Sequence, residues 1–194
     1  MNVMKRIIPL ILILTSCLQL SGQTTNDSRV KSWVDSSYAN ELVLIQEFEV
    51  NVPLEKVWDT YTTKEGWESA FVALAEVDFK VNGTIKTSYN QDATIGDSST
   101  IVLHIVNYVP KKLLTLQAEI TQNFPDFMKA DEKDLFNIIS LEELKPSLTK
   151  VTSYGIGYKN NPKYQSLMKF FIEGNELSYN NLILFLETGK KAKY

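Results

Sequence analysis

The stretch from Pro162 to Glu187 constrains the fold more than any other part of the chain. Apolar and small residues recur there at steps of three or four, the period of an amphipathic helix: Leu167, Phe171, Gly174, Ser178, Leu182 and Phe185. The opposite face carries Lys169, Glu173, Glu176, Asn180 and Glu187. The pattern therefore predicts a long helix with one face covered by the rest of the chain.

Two small residues, Gly174 and Ser178, lie in the middle of this predicted inner face. Glycine inside a helix costs roughly 1 kcal/mol relative to alanine, so its presence calls for a reason. One interpretation is close packing against a strand, and the other is room beneath the helix for a ligand.

The chain before this helix reads as a sheet that could cover it. Residues 41–50 end in the alternation of a half-buried strand, and the Pro53–Thr62 segment has the spacing of a short amphipathic helix. A second brief helix or turn follows at Lys64–Trp67, and about six strands with short turns follow from Ala73. Consecutive strands of this kind form an antiparallel sheet, and a helix with an apolar stripe covers its apolar face. The predicted class is α+β.

The first 22 residues have the pattern of an export signal. Lys5 and Arg6 precede a short apolar run, which is too short for a membrane span of about 20 residues. Leu14–Cys17 resembles a lipobox, which predicts lipidation of Cys17 and membrane anchoring; the alternative is cleavage near Gly22 and release. The expected organisation is a signal over residues 1–22, a linker over 23–39, one domain over 40–189 and a tail over 190–194. The protein is expected to be exported, either to the periplasm or as a membrane-anchored lipoprotein, and the alternative is secretion after cleavage near Gly22.

Composition excludes several classes of function for the remaining chain. It carries a net charge of −5 once Lys5 and Arg6 are set aside, and it has no basic stripe, which argues against nucleic acid as a partner. Cys17 is the only cysteine and His104 the only histidine. We therefore expect no thiolate or multi-histidine metal site and no cofactor.

The order of these elements resembles the START-like, or SRPBCC, superfamily. Val50–Trp58 is similar to the opening of that superfamily, and Lys64–Trp67 falls where the branch of heat-shock-protein ATPase activator homologues often has a tryptophan. Tyr108–Leu113 and Thr149–Thr152 resemble later elements of the same branch, so the resemblance covers about residues 42–187. It implies a helix-grip fold, in which a curved antiparallel sheet wraps around the C-terminal helix and two short helices follow the first strand.

The resemblance also implies a cavity between sheet and helix, because members of the superfamily bind lipids, sterols or polyketides. Candidates for its wall are the aromatic residues and the small residues of the helix, together with the lone histidine: Trp67, Phe71, Tyr89, His104, Tyr154, Phe171, Gly174 and Ser178. For each aromatic residue the alternative is ordinary core, and for His104 it is a hydrogen-bonded sheet residue.

Three functions are consistent with these features. The first is an exported module that binds a small hydrophobic molecule, and the second is an enzyme of the polyketide cyclase type that polarises such a ligand through His104 or a tyrosine. The third is a protein-interaction domain of the co-chaperone type. No serine-elbow or dinucleotide-loop motif points to a particular catalytic site. The acidic residues at 126–134 lack calcium-loop spacing and predict a solvated loop face or a lid.

Overall fold

The structure, a computed structural model, describes residues 28–38, 40–122 and 124–191. Among them, one antiparallel sheet contains eight strands: β1 Lys31–Asp35, β2 Glu41–Val50, β3 Leu74–Val77, β4 Thr84–Ser88, β5 Ile101–Val109, β6 Leu113–Ala118, β7 Phe136–Lys145 and β8 Leu148–Lys159. The order across the sheet is β1-β2-β8-β7-β6-β5-β4-β3. The α-helices are α1 Leu54–Thr62, α2 Lys64–Ala70, α3 Asp126–Asp131 and α4 Pro162–Thr188, and a 3-10 turn spans Glu132–Asp134. The predicted leader and Cys17 lie outside the described residues.

This architecture confirms the predicted helix-grip fold, with α1 and α2 between the strands and α4 against the sheet. One element differs, because β1 lies inside the segment predicted to be a linker. It pairs with β2 along the edge of the sheet, with Ser32 opposite Gln46. Its residues are half-exposed, and Trp33 keeps 44% of its surface in solvent. An edge strand of this kind carries little apolar alternation, so the sequence pattern gave no sign of it.

The two ends of α4 are set by residues next to it. The side chain of Asn161 accepts hydrogen bonds from the backbone N–H groups of Lys163 and Tyr164, at 3.0 and 3.1 Å. Pro162 follows at the first helical position, where its missing N–H costs nothing. At the other end Gly189 adopts a left-handed conformation with φ of 73°, which stops the helix.

The inner face of α4 differs from the predicted one. Its buried residues are Tyr164, Met168, Tyr179, Leu182, Ile183 and Leu186. Phe171 and Phe185 are only half-buried, and Gly174 is exposed with open space around it. The reason is that α4 is apolar on its outer side as well, where Phe170, Leu177 and Leu184 are 63%, 66% and 42% exposed. A helix with apolar residues on both sides does not reveal from its period which side is covered.

Bulges in two strands change which residues face the core. Between the pairs Leu44–Gly155 and Leu42–Tyr158, β2 advances by two residues and β8 by three. The extra residue in β8 reverses the alternation, so Tyr158 shares the inner face with Gly155. Gly157 makes the bulge possible, since its φ is +85° and a Cβ there would lie 1.8 Å from the carbonyl oxygen of Asp134.

A corresponding bulge interrupts β5. Ile105 lies opposite Leu116 and Asn107 opposite Thr115, so β5 has one residue more than β6 at this point. Tyr108 consequently turns to the inner side, where its ring packs against Trp58 and Phe79.

The acidic connection before β7 is more ordered than predicted. It forms α3, and Asp131 is buried rather than solvated. Its carboxylate accepts a hydrogen bond from the Tyr164 hydroxyl at 3.0 Å and forms an ion pair with Lys159. The Lys159 bond is the main cause that lowers the pKa of Asp131.

Candidate functional site

A cavity of about 310 Å³ lies between the sheet, the α1–α2 pair and α4. Small-molecule pockets usually have volumes of about 300–1,000 Å³, so this cavity is at the small end of that range. The sheet contributes side chains from β4 to β8, including Leu103, Leu116 and Ile139. Tyr61 and Trp67 come from the helix pair, and α4 closes the remaining side. The cavity lies between the sheet and the C-terminal helix, the position that the helix-grip resemblance implied for one.

The cavity wall contains five of the eight predicted residues: Trp67, Phe71, Tyr89, Phe171 and Ser178. Tyr89 keeps 53% of its surface in solvent and therefore lies at the rim. The other three predicted residues are not part of the wall: His104, Tyr154 and Gly174.

His104 lies on the outer face of the sheet. Its neighbours in sequence, Leu103 and Ile105, face the interior, and the half-exposed imidazole is 2.8 Å from the carboxylate of Glu119. Because the sequence contains no other histidine, the wall of the cavity has no imidazole to act as an acid or base.

Tyr154 also faces outward, where it is opposite Ile45 and Ile138 in the neighbouring strands. The tyrosine of this strand that lines the cavity is Tyr158. The bulge at Gly157 is the cause, since it reverses the alternation between the two tyrosines.

Further lining residues were not predicted from sequence: Tyr61, Asn137, Tyr158, Asn175 and Tyr179. Tyr61 lies on a short helix with ordinary amphipathic spacing, which marks it as core but not as part of a pocket. Asn137 is the one available signal, because a polar side chain at an inward position of a central strand needs a partner.

Stacked and tilted rings form much of the cavity wall. Phe71 packs against Trp67 and Tyr61, with ring centroids 4.8 and 5.3 Å apart. On the other side Tyr158 stacks on Phe171 at 5.5 Å with an interplanar angle of 24°. The Trp67 indole N–H donates to the backbone carbonyl of Tyr61 at 2.8 Å, which fixes the ring. Packed aromatic rings therefore make up these two parts of the wall.

Polar side chains in the wall are mostly paired with protein groups. The Asn137 amide donates to Ser153 at 2.7 Å, and the Asn175 amide donates to Gln46 at 2.8 Å. Gln46 in turn donates to the hydroxyl of Ser32 at 2.9 Å, so the network ties α4 to β2 and β1.

The Tyr61 hydroxyl is the exception. Among the described residues it is the one buried side-chain nitrogen or oxygen without a hydrogen-bond partner, and the residue is 2% exposed. Burial raises the pKa of Tyr61 well above its usual range, and the nearby Tyr179 raises it further. Burial likewise raises the pKa of Tyr158 to about 12 and that of Tyr179, where hydrogen bonding by Ser153 and Asn137 partly offsets the effect. All three phenols are therefore neutral hydrogen-bond donors near pH 7.

No charged side chain contributes to this cavity wall in the part of the chain that the structure describes. The same residues contain no cluster of three histidine, cysteine or acidic side chains that could hold a metal. No helix among them is long and apolar enough to cross a membrane. The arrangement is that of an uncharged apolar pocket with a few neutral polar groups.

Residues 51–187 match the family described as activator of Hsp90 ATPase homolog 1-like protein. The comparison with curated proteins gives no match. Solved structures share the fold, among them EF2215, a conserved protein of unknown function from Enterococcus faecalis, with a TM-score of 0.58, 16% identity, and coverage of 84% of this chain and 81% of that one.

Two further structures are similar. CalU16 from Micromonospora echinospora has a TM-score of 0.56 and 15% identity over 84% of each chain. The Aha1 dimer from Colwellia psychrerythraea has a TM-score of 0.56 and 17% identity over 76% of this chain and 98% of that one. At these identities the structures establish the fold, whereas the sequence match establishes the family. The chain belongs to the activator of Hsp90 ATPase homolog 1-like protein family, within the START-like superfamily.

Proposed function

We propose that this protein is an exported helix-grip domain that binds a small hydrophobic molecule between its sheet and α4. The observation that carries the proposal is the cavity of about 310 Å³ with its aromatic and aliphatic wall. Its volume lies within the range of small-molecule pockets, and its uncharged wall of aromatic and aliphatic side chains favours a hydrophobic ligand. Binding, rather than catalysis by His104, is proposed because His104 lies on the opposite face of the sheet.

A matched pair of substitutions on α4 tests this proposal. Ser178 lines the cavity, whereas Gly174, one turn earlier, is surrounded by open space. Ser178→Leu should therefore fill part of the cavity, and Gly174→Leu should add the same side chain at the surface. The probe is N-phenyl-1-naphthylamine, an uncharged apolar fluorophore, titrated into protein expressed from the full chain.

Ser178→Leu should weaken binding of the probe at least tenfold, and Gly174→Leu should bind it as the wild type does. A wild type that does not bind the probe, together with a Ser178→Leu protein that melts much lower, would indicate a packed core and overturn the proposal. Equal loss of binding in both variants would place the probe on the surface of α4.

Export and lipidation are part of the proposal and are supported by the sequence of the leader. Lys5, Arg6 and the apolar run that follows are typical of a signal, and Cys17 ends the lipobox-like segment. Cells expressing the full chain are labelled with an alkyne fatty acid, with Cys17→Ser as the control. The wild type should be labelled and the variant unlabelled. An unlabelled wild type that begins near Gln23 would overturn lipidation and leave export intact.

A further inference from the structure

The polar part of the cavity wall carries information on the ligand itself. The wall combines aromatic surface with neutral phenol and amide groups, and none of the described residues that line it is a lysine, arginine or histidine that could neutralise an acid. An ionised carboxylate placed there would lose its hydration without gaining a cation, at a large cost in free energy. A carbonyl or hydroxyl oxygen could be accommodated at much lower cost.

The Tyr61 hydroxyl is the group that a ligand oxygen could satisfy. Asn137 and Asn175 already donate to Ser153 and Gln46. Burial raises the pKa of Tyr179 and hydrogen bonding by Ser153 and Asn137 partly offsets this rise, so its hydroxyl also has polar neighbours in the protein. Tyr61 lines the same cavity and has no hydrogen-bond partner among the described residues. Since buried polar groups in proteins are nearly always paired, an unpaired phenol on a residue that lines the cavity points to a partner that arrives with the ligand.

We infer, on the basis of the proposed function, that the ligand is an uncharged apolar molecule whose carbonyl or hydroxyl oxygen accepts a hydrogen bond from Tyr61. The cavity discriminates against carboxylates of the same shape. The Tyr61 oxygen has almost no accessible surface, so the neighbouring side chains separate as the ligand enters. The small volume suits a molecule of one or two fused rings better than a sterol or a long-chain lipid.

Three naphthalenes of similar shape separate these features. 2-Acetylnaphthalene is neutral and carries a carbonyl oxygen, 2-ethylnaphthalene lacks an acceptor, and 2-naphthoate is an anion at pH 7.5. Their dissociation constants are measured by displacement of N-phenyl-1-naphthylamine from the wild type, from Tyr61→Phe and from Tyr164→Phe. Tyr164→Phe is the matched control, because Tyr164 is equally buried but its hydroxyl is bonded to Asp131.

The quantity to compare is the affinity ratio of the acetyl to the ethyl compound, since the two differ in hydrophobicity before they bind. A net hydrogen-bond contribution of about 0.5–1.5 kcal/mol corresponds to a roughly two- to tenfold ratio. Tyr61→Phe should lower the ratio by that factor, and Tyr164→Phe should leave it unchanged. 2-Naphthoate should bind the wild type at least tenfold more weakly than the acetyl compound.

Different results overturn the two proposals. If no neutral compound and no probe binds the wild type, the proposed binding function fails and this inference fails with it. If the neutral compounds bind but the ratio is the same in Tyr61→Phe and wild type, the function stands and the assignment of Tyr61 is overturned. Binding of 2-naphthoate as tight as that of the acetyl compound would overturn the discrimination against carboxylates.

Discussion

Removing the hydroxyl of Tyr61 should stabilise the ligand-free protein, whereas removing that of Tyr164 should destabilise it. Both tyrosines are buried, at 2% and 0% exposure. The Tyr61 hydroxyl has no partner among the described residues, and the Tyr164 hydroxyl donates to the Asp131 carboxylate at 3.0 Å. The two Tyr→Phe changes therefore remove the same hydroxyl group, which is unpaired in Tyr61 and hydrogen-bonded in Tyr164.

The expected magnitudes follow from the cost of an unpaired buried group. Leaving a buried hydroxyl unsatisfied costs about 1–3 kcal/mol, so Tyr61→Phe should raise the free energy of unfolding by about 1 kcal/mol. A hydrogen bond to a charged group contributes about 1.5–3 kcal/mol, so Tyr164→Phe should lower the free energy of unfolding by that amount. In a protein of this size, 1 kcal/mol corresponds to about 2–4 °C in Tm.

The assay is urea unfolding followed by tryptophan fluorescence, with the free energy of unfolding extrapolated to water for wild type and both variants. If Tyr61→Phe destabilises the protein as much as Tyr164→Phe does, the Tyr61 hydroxyl has a partner in the ligand-free state. The assignment of this hydroxyl to a ligand oxygen would then be wrong.

Four further outcomes follow from the structure. Gly174→Ala should raise the free energy of unfolding by about 0.5–1 kcal/mol in urea melts, because an exposed helical glycine gains helix propensity without a clash. Gly157→Ala should lower the free energy of unfolding by at least about 1–3 kcal/mol and should weaken probe binding. The reason is that residue 157 in the β8 bulge has a positive φ and leaves no space for a Cβ beside Asp134. Hydrogen bonding by Arg29 is the main cause that lowers the pKa of Glu187 from 4.5 to about 2, so the carboxylate stabilises the fold above pH 4.5 and this stabilisation is lost between pH 4.5 and about 2. Arg29→Gln should lower the free energy of unfolding in urea melts by less than about 1 kcal/mol at pH 7, because the pair is partly exposed. This difference from the wild type should disappear as the pH falls from 4.5 to about 2. Burial raises the pKa of Tyr158 from 10.0 to about 12, so the free energy of unfolding in urea melts should fall as the pH rises from 10 towards 12, and this fall should be smaller in Tyr158→Phe.

The order of elements was predictable because each has a strong local signal. The turn between β3 and β4 is one example: the N–H of Gly83 donates to the carbonyl of Lys80, and Asn82 within this turn has a φ of 63°, a left-handed conformation that asparagine tolerates. The long helix is another, with Pro162 at its start and an asparagine before it. The order of these elements resembles that of the family, and this resemblance predicted the helix-grip fold.

The directions of individual side chains were less predictable. A single extra residue in β8 exchanges Tyr154 for Tyr158 as the inward tyrosine, and the bulge in β5 brings Tyr108 inward. The two-residue alternation of side chains along a strand does not reveal a bulge unless a glycine indicates it. Glycines such as those at 155 and 157 are typical of a bulge or bend within a strand, but they do not tell which residue is added.

The wall residues that come from α1 and α4 could not be predicted for a different reason. Tyr61 and Tyr179 have the spacing of core residues. A core residue lines a cavity only where the side chains around it leave a space unfilled. That space is a property of how the sheet, α1–α2 and α4 fit together. On α4, Phe170 and Leu177 are apolar residues of the outer side, so the helical period did not show which face is buried.

The most direct test of a ligand site between the sheet and α4 is to locate a bound ligand. N-phenyl-1-naphthylamine is titrated into uniformly ¹⁵N-labelled protein, and shifts of the assigned backbone amides are followed in two-dimensional NMR spectra. We predict saturable shifts that are largest around the cavity, at Tyr61, Asn137, Tyr158 and Asn175. The amide shifts of His104 and Tyr154 serve as the comparison. These two residues belong to the same strands as lining residues, but their side chains face outward. No saturable shifts, or shifts concentrated on the outer face around His104 and Tyr154, would contradict a ligand site between the sheet and α4.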